Sequence, residues 1–376
     1  MHRSPFNTVN RPRQRLPIQT RPPTYYGWLR RVPGGLAERL YSRKISGQNK
    51  HWWCCGVAEV VAVDVGATWV RMAIVRGGVI EAIKRERNPG TEEGLERVLQ
   101  GLAEGLGIDR GRVEKVGAAS IGPLDLRRGY IVGSPNIKSH IVRLSTILKR
   151  LFPKSKVAIA NDAVAAAWGE YLLGRLAGTP DLGYITMSTG VGGGFVVGGR
   201  LLLGSRGNAH EVGHIVVDMG WEGGRCGCGG TGHWEAIAGG RWIPRTSSVL
   251  ARGWRGPETS LYRAALEGRV GSAREVFEAA AVGDDFALHV IDYIARASAA
   301  GIASVKAAYD VDAVIIGGSV YLNNRRMLRP LIERHLAAYA PFSSRIEVVD
   351  ASFGDNEGVM GAYAIAYRNP EDLPIF

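Results

Sequence analysis

The sequence lacks three features, each of which would place it in a class of proteins at once. No uninterrupted apolar run approaches the roughly 18 residues that a membrane-spanning helix needs. No apolar core of a secretory signal stands near the start, and no Gly-Lys-Ser/Thr sequence forms a Walker A loop. These absences exclude an integral membrane protein and a P-loop protein, and they predict a cytoplasmic protein without membrane partners.

Excess charge is absent from most of the chain. The formal net charge is +12, but residues 1–56 hold 11 Lys and Arg residues against one acid, Glu38. The other 320 residues therefore have a net charge of only +2. The basic character is confined to the N-terminal segment, and it predicts no nucleic-acid partner for the rest of the chain.

Residues 1–56 contain Pro, Arg and Gln without helical or alternating periodicity, so disorder is expected there. Three interpretations remain open: a basic arm for nucleic acid, a transit-like peptide, or an extension outside the native protein, with translation starting near Val57. The abrupt start of regular patterning at VAEVVAVDVG favours the third. The adjacent Cys54 and Cys55 would pair only with strain, and we assign them no role.

Strand and helix patterns alternate after this segment. Apolar, β-branched runs such as EVVAVDVG and KVAIANDA predict buried strands, and helical spacing of apolar residues predicts helices in 91–107 and about 273–309. The alternation predicts an α/β architecture in two lobes. We expect an N-terminal lobe over 57–163, a C-terminal lobe over 164–350, and a C-terminal helix in 351–376 that packs back on the first lobe. The likeness of VVAVDVGATWV to GYITMSTGVGGGFV suggests that the lobe is duplicated.

Two strand–glycine–strand segments, DVGATWVR and STGVGGG, each offer backbone N–H groups that can surround phosphate oxygens. The first adds Asp64 for a magnesium-bound water, the hydroxyl of Thr68 and the charge of Arg71. The second adds Ser188 and Thr189. Either segment alone is more simply an ordinary β-turn.

The segment IANDAVAAAWGE places Asn161 and Asp162 at the end of a buried strand, where α/β folds bind ligands. A helix cap is the simpler interpretation of an Asn-Asp pair, although a cap needs only one such side chain. Asp162 is a candidate general base toward a hydroxyl group.

Histidines and acids cluster in two further segments. GNAHEVGH offers Asn208, His210, Glu211 and His214, with a surface salt bridge as the simpler interpretation. RCGCGGTGHWE, residues 225–235, is consistent with a metal site, a redox pair or a glycine-rich turn.

Taken in order, these segments resemble the ROK family of sugar kinases and sugar-responsive repressors, within the actin-like ATPase superfamily. DVGATWVR is similar to the family's first phosphate motif, with Ala67 where a second glycine is usual. STGVGGG is similar to the second phosphate motif, AND to the catalytic segment, HEVGH to the sugar-binding helix, CGCGGTGHWE to the cysteine motif and IIGGS to the adenosine-side turn. The resemblance spans about Val61 to Tyr363 and implies a two-lobed, ribonuclease H-like α/β fold with mixed sheets and a cleft.

The resemblance also implies an activity: ATP-dependent phosphorylation of the 6-hydroxyl of glucose and related hexoses, with Mg²⁺ as cofactor and Asp162 as the general base. The sugar contacts would be Asn136, Asn161, Asp162, Glu211, His214 and Glu235. The nucleotide and its magnesium would be held by Asp64, Gly66, Thr68, Arg71, Ser188, Thr189, Gly190, Gly317 and Gly318.

The family's zinc site implies the ligands His214, Cys226, Cys228 and His233, with His233 standing where the family has a third cysteine. Two histidines and two cysteines are an acceptable tetrahedral Zn²⁺ set. The alternative is a loop that has lost its metal. Disturbing this loop is expected to affect the sugar side and to spare both phosphate turns.

Two rival functions stay open. One is phosphorylation of an N-acetylhexosamine, because the pocket volume near the sugar 2-position depends on loops that the sequence does not place. The other is a non-catalytic, sugar-sensing repressor of the same family, which would carry a helix-turn-helix; only GLAERLYSRKIS is suitable for one of its helices. We expect a monomer or a homodimer.

Overall fold

The computed structural model describes residues 59–134, 137–205, 207–341 and 346–376, all within one unit, Val57–Phe376. Its strands are β1 Glu59–Val65, β2 Trp69–Arg76, β3 Val79–Arg87, β4 Lys115–Ser120, β5 Leu124–Asp125, β6 Tyr130–Val132, β7 Ile141–Val142, β8 Lys156–Asn161, β9 Leu182–Met187, β10 Val191–Val197, β11 Arg200–Leu201, β12 Ala313–Gly317 and β13 Glu347–Asp350. Its α-helices are α1 Glu92–Gly105, α2 Leu144–Leu151, α3 Asp162–Leu173, α4 Trp234–Ala238, α5 Ile243–Gly253, α6 Ser260–Leu266, α7 Ala273–Ala281, α8 Asp285–Tyr309, α9 Ser319–Tyr339 and α10 Glu357–Tyr367.

The first sheet has the strand order β3-β2-β1-β4-β8. β1 is buried from its second residue onward and pairs antiparallel with β2 and parallel with β4. The predicted β2–β3 hairpin is confirmed: Gly77 and Gly78 have φ values of 58° and 80°, which L-residues with a side chain rarely adopt. Because β1 is covered on both faces, its near-continuous apolar sequence matches its place in the fold.

The second sheet repeats this arrangement in the order β11-β10-β9-β12-β13. β9 pairs antiparallel with β10 and parallel with β12, as β1 does with β2 and β4. The two sheets therefore have the same connectivity, and each begins with a strand, a glycine turn and a second strand. A small third sheet, in the order β5-β6-β7, lies in the segment between β4 and α2.

Two helices fill the space between the sheets. α10 packs on β1, β4 and β8 of the first sheet, α3 packs on β9 and β10 of the second, and the two helices pack on each other. Their alanine-rich surfaces form one apolar cluster with residues of both sheets. The outer face of the first sheet is covered by α1 and α2, and that of the second mainly by α8 and its neighbours.

The structure differs from the sequence-based prediction in three places. His214 belongs to a single 3-10 turn, Val212–His214, and Glu211 precedes this turn, so neither lies in a regular helix. Three helices between residues 234 and 266 (α4, α5 and α6) were not predicted, and α9 begins at Ser319, before the RMLRPLIERHLAAYA run that starts at Arg326. Among the described residues, no helix is both long and apolar enough to cross a membrane.

Candidate functional site

The first glycine turn, residues 66–68, joins β1 to β2 beside a buried carboxylate. Asp64 is 7% exposed, and its Oδ2 accepts a hydrogen bond of 3.1 Å from Arg71, whose Nη1 also donates to the carbonyl oxygen of Asp355 at 3.0 Å. Burial raises the pKa of Asp64 to about 6; the charge of Asp162 adds to this and Arg71 opposes it. Asp64 and Asp162 are thus close enough to influence each other electrostatically.

Asn88 clamps this turn, and the sequence analysis missed it. Its Nδ2 donates to the carbonyl oxygen of Gly66 at 2.7 Å, and its backbone N–H donates to the carbonyl oxygen of Thr68 at 2.9 Å. Its Oδ1 accepts from the backbone N–H of Gly90 at 2.9 Å. An Asn-Pro-Gly sequence at the end of a strand is a turn signal, but its partner on another hairpin is not visible in the sequence.

The second glycine turn, residues 188–190, joins β9 to β10. A Cβ atom on Gly190 would lie 2.3 Å from Oε2 of Glu235, so a side chain there would have to displace the Glu235 carboxylate. The same Oε2 accepts a hydrogen bond of 3.1 Å from the backbone N–H of Val191. Glu235 therefore joins the turn to the cysteine segment, a contact that the expected sparing of both phosphate turns did not include.

Asn161 and Asp162 lie where β8 passes into α3. The Oδ1 atom of Asn161 caps the helix by accepting from the backbone N–H groups of Ala163 and Val164. The simpler interpretation, a helix cap, is thus confirmed for Asn161. Asp162 is partly exposed in this structure, and burial raises the pKa of its carboxyl, which the hydrogen bond from the backbone N–H of Ala163 opposes.

Glu211 faces Asp162 from the loop before the 3-10 turn. Its side chain is 43% exposed, with Oε1 3.3 Å from Nε2 of His210 and Oε2 3.6 Å from Nε2 of His214. The hydrogen bond from His210 lowers the pKa of Glu211, and the charge of Glu211 contributes to the raised pKa of Asp162. The predicted surface salt bridge is thus part of a cluster that reaches the candidate base.

The four predicted metal ligands, His214, Cys226, Cys228 and His233, lie together, with their ligand atoms all within 4.8 Å of one another. Nδ1 of His214 is 3.8 Å from Sγ of Cys226, and Nδ1 of His233 is 3.3 Å from Sγ of Cys228. A tetrahedral Zn²⁺ site with ordinary bond lengths separates sulfur and nitrogen ligands by roughly 3.6 Å. The residues therefore fit a zinc ion.

The charge states of the cluster also bear on a metal. Burial lowers the pKa of His233, which favours the neutral imidazole that binds metals. Burial raises the pKa of the Cys226 thiol to about 11, so a thiolate there requires a cation to compensate its charge. Sγ of Cys226 is also 3.8 Å from Oε1 of Glu235, which ties the cluster to the second turn.

The remaining predicted residues lie at the edge of this arrangement or outside the described part. Gly317 ends β12 and Gly318 caps α9, close to Tyr184 and to the end of β9. Asn136 lies outside the described residues, as does the whole segment 1–56. Contacts run from Glu211 through His214 and Cys226 to Glu235 and the second turn.

Paired sheets of equal strand order, each with a glycine turn, define the actin-like ATPase fold. The sequence profile of the ROK family matches residues 60–369, and the chain belongs to this family.

Named relatives agree with this membership. The chain is 39% identical over 322 residues to a glucokinase from Pyrobaculum calidifontis, covering 85% of this chain and 99% of that one. It is 33% identical over 305 residues to an N-acetylmannosamine kinase from Haemophilus influenzae, covering 80% and 93%. The crystal structure of a ROK family glucokinase from Streptomyces griseus in complex with glucose and AMPPNP is similar with a TM-score of 0.68, at 30% identity and 82% and 99% coverage.

Proposed function

We propose that the protein transfers the γ-phosphoryl group of ATP to the 6-hydroxyl of glucose and, with lower preference, of other hexoses. The observation that carries the proposal is the position of Asp162. Asp162 lies where β8 passes into α3, and its carboxylate interacts electrostatically with Asp64 of the first turn and with Glu211. A base between a phosphate-binding turn and a set of hydroxyl-binding groups suits transfer from a nucleotide to a sugar.

In this mechanism Asp162 accepts the proton of the 6-hydroxyl while that oxygen attacks the γ-phosphorus of ATP. The bond from the γ-phosphorus to the β,γ-bridging oxygen breaks, and ADP leaves. Burial makes Asp162 a stronger base than an exposed aspartate, since it raises the pKa of the carboxyl.

The sugar would be held by hydrogen bonds from groups around this base. The Oδ1 atom of Asn161 is engaged in the helix cap, which leaves its Nδ2 for a hydroxyl oxygen. Glu211 and Glu235 supply acceptors, and His214 has Nε2 on the Glu211 side. Bidentate carboxylates suit adjacent hydroxyls, and this supports a polyhydroxylated ring as substrate.

The phosphates would lie against the backbone N–H groups of the two turns, near Thr68 and Arg71 on one side and Ser188 and Thr189 on the other. Asp64 is the residue that would hold Mg²⁺, through a bound water. Magnesium, when bound, neutralises part of the charge on the transferring phosphoryl group.

We also propose that His214, Cys226, Cys228 and His233 hold one structural zinc ion. The geometry supports Nδ1 of His214 as the ligand atom, with Nε2 turned toward Glu211. Fixing one nitrogen of an imidazole orients the other, so the metal would align His214 for the sugar.

A panel of sugars assayed by coupled ADP detection tests the proposal. Glucose is expected to give the highest kcat/KM, and N-acetylmannosamine is the second candidate, favoured by the Haemophilus influenzae relative. If kcat/KM is highest with N-acetylmannosamine, that sugar and not glucose is the preferred substrate. ATP hydrolysis unaffected by any sugar would contradict both.

A further inference from the structure

His210 is a buried histidine that the function described so far does not use. It is 6% exposed, and its carbonyl oxygen accepts from the backbone N–H of Val212 at 2.8 Å. The neighbouring Ala209 accepts a hydrogen bond of 3.3 Å from the hydroxyl of Tyr309, at the end of α8. The backbone that carries His210 is thus fixed to the core of the second sheet and its helices.

The ring of His210 has a single polar contact within the described part of the chain. Nε2 lies 3.3 Å from Oε1 of Glu211, whereas Nδ1 is buried and without a hydrogen-bond partner among the described residues. A buried N–H group without an acceptor is unfavourable by more than an unused lone pair. A proton is therefore assigned to Nε2, which directs an N–H donor at Glu211.

A buried imidazole whose only hydrogen bond goes to a half-exposed carboxylate restricts the orientation of that carboxylate. An apolar side chain of similar size would fill the same volume without burying an unpaired nitrogen. Oε1 of Glu211 faces His210 on the protein side, Oε2 lies 3.6 Å from Nε2 of His214, and the carboxylate remains 43% exposed, open to a ligand. His210 thus sets the orientation of Glu211 from the side facing the protein core, and it does so without needing to contact a ligand.

We propose that His210 is a positioning residue for sugar recognition, holding Glu211 so that its carboxylate accepts hydrogen bonds from the hydroxyls of a hexose. The proposal rests on the proposed function, because it takes Glu211 as a sugar ligand. It goes further in assigning part of the sugar affinity to a residue outside the set that contacts the sugar.

The test compares His210→Leu, which removes the donor, with His210→Gln, which retains an N–H donor on a side chain of similar reach. The matched control is His335→Leu, because His335 makes the same kind of contact with Asp292, 2.9 Å between Nε2 and Oδ1, on α8 and α9 away from the site. For each protein the KM values for glucose and ATP, kcat and Tm are measured, and glucose binding is measured by calorimetry.

We expect His210→Leu to raise KM and Kd for glucose by roughly tenfold or more, the range for losing a hydrogen bond to a charged group, with KM for ATP within about twofold. His210→Gln should recover most of the affinity, and His335→Leu should leave both KM values unchanged. If His210→Leu does not fold, His210→Met, which also lacks the donor, takes its place.

A series of monodeoxyglucoses sharpens the test. Removing the hydroxyl that Glu211 binds should weaken binding to the wild-type protein more than to His210→Leu, because that variant has already lost the aligned acceptor. Equal losses in both proteins at every position, or equal rises of KM for glucose and ATP in His210→Leu, would overturn the proposal. Absence of glucose turnover in the wild-type protein would instead refute the proposed function.

Discussion

The two glycine turns lie on sheets of the same strand order but are held in place by different groups. The first turn is fixed within its own sheet, by Asn88 at the end of β3 and by the Asp64–Arg71 pair. The second is fixed by Glu235, the last residue of the cysteine segment, which lies against Gly190 and accepts from the backbone N–H of Val191. The same scaffold thus carries one turn held by residues next to it in its own sheet and one held by a residue on the sugar side.

This difference has a consequence for how the two halves of the site respond to damage. Changes at Asn88 should weaken binding of the nucleotide only, because no described contact links Asn88 to Glu211 or Glu235. Changes in the Cys/His cluster should weaken binding of both substrates, because Cys226 lies against Glu235 and His214 lies against Glu211. Changes at Asp162, which lies between the turns, should stop the reaction without weakening either substrate strongly.

The largest effect is expected for Asp162→Asn. Removing the base should lower kcat by at least ~10², the lower end for loss of a general base, while calorimetry finds glucose binding within about threefold of wild type. Asp109→Asn, at an exposed position outside the site, is the control. Near-normal turnover of Asp162→Asn would remove Asp162 from the mechanism.

A smaller effect on two substrates is expected for Cys226→Ser. Metal analysis should find about one zinc per wild-type chain and much less in the variant. KM for glucose should rise on the order of tenfold, and KM for ATP should also rise, by less, through Glu235 and the second turn. An unchanged KM for ATP beside a raised KM for glucose would mean that the Glu235 contact does not hold the turn. A zinc-free wild-type protein would refute the metal assignment.

Asn88→Ala should produce a one-sided effect. Losing the clamp on the first turn removes hydrogen bonds worth about 1 kcal/mol, which corresponds to a rise of roughly fivefold in KM for ATP. KM for glucose should stay within about twofold. A rise in both values would show that the first turn, too, is coupled to the sugar side.

The smallest effect concerns the junction of the two sheets, where Glu357 begins α10. Its Oε1 accepts from the backbone N–H of Phe353, and its buried Oε2 has no partner among the described residues. Burial, together with the charge of Glu170, raises the pKa of Glu357 to about 8 from an ordinary 4.5. The folded state therefore holds a proton that the unfolded state releases, so stability falls as pH rises from about 4.5 to about 8.

Glu357→Gln removes this titration. Relative to wild type, its Tm should be higher at pH 9 by about 2 °C or more, with a smaller difference at pH 5. The exposed Glu93→Gln serves as the control and should show no such pH dependence. A Tm difference that is the same at both pH values would contradict the buried, protonated state.

The sequence predicts much of this arrangement because its signals are local. The β-branched run of β1 and the paired glycines after β2 are visible within a few residues, and the order of the motifs identifies the candidate site. The short helices between residues 234 and 266 follow a glycine-rich loop and carry too few apolar residues at helical spacing to be recognised.

The contacts that hold the site in place are not local, and the sequence does not reveal them. Asn88 acts on a turn 22 residues earlier, and Glu235 acts on a backbone N–H group 44 residues earlier. His210 lies next to Glu211 in the sequence, but its burial depends on the packing of the second sheet against α8. Such roles follow from tertiary packing, which one sequence does not specify by residue type alone.

The most direct measurement of the central claim is the identity of the product. With ATP and glucose, phosphorus NMR and mass spectrometry should find ADP and glucose 6-phosphate in equal amounts, and 6-deoxyglucose should yield no sugar phosphate. A phosphate on another hydroxyl of glucose, or ADP formed at the same rate without sugar, would contradict the account.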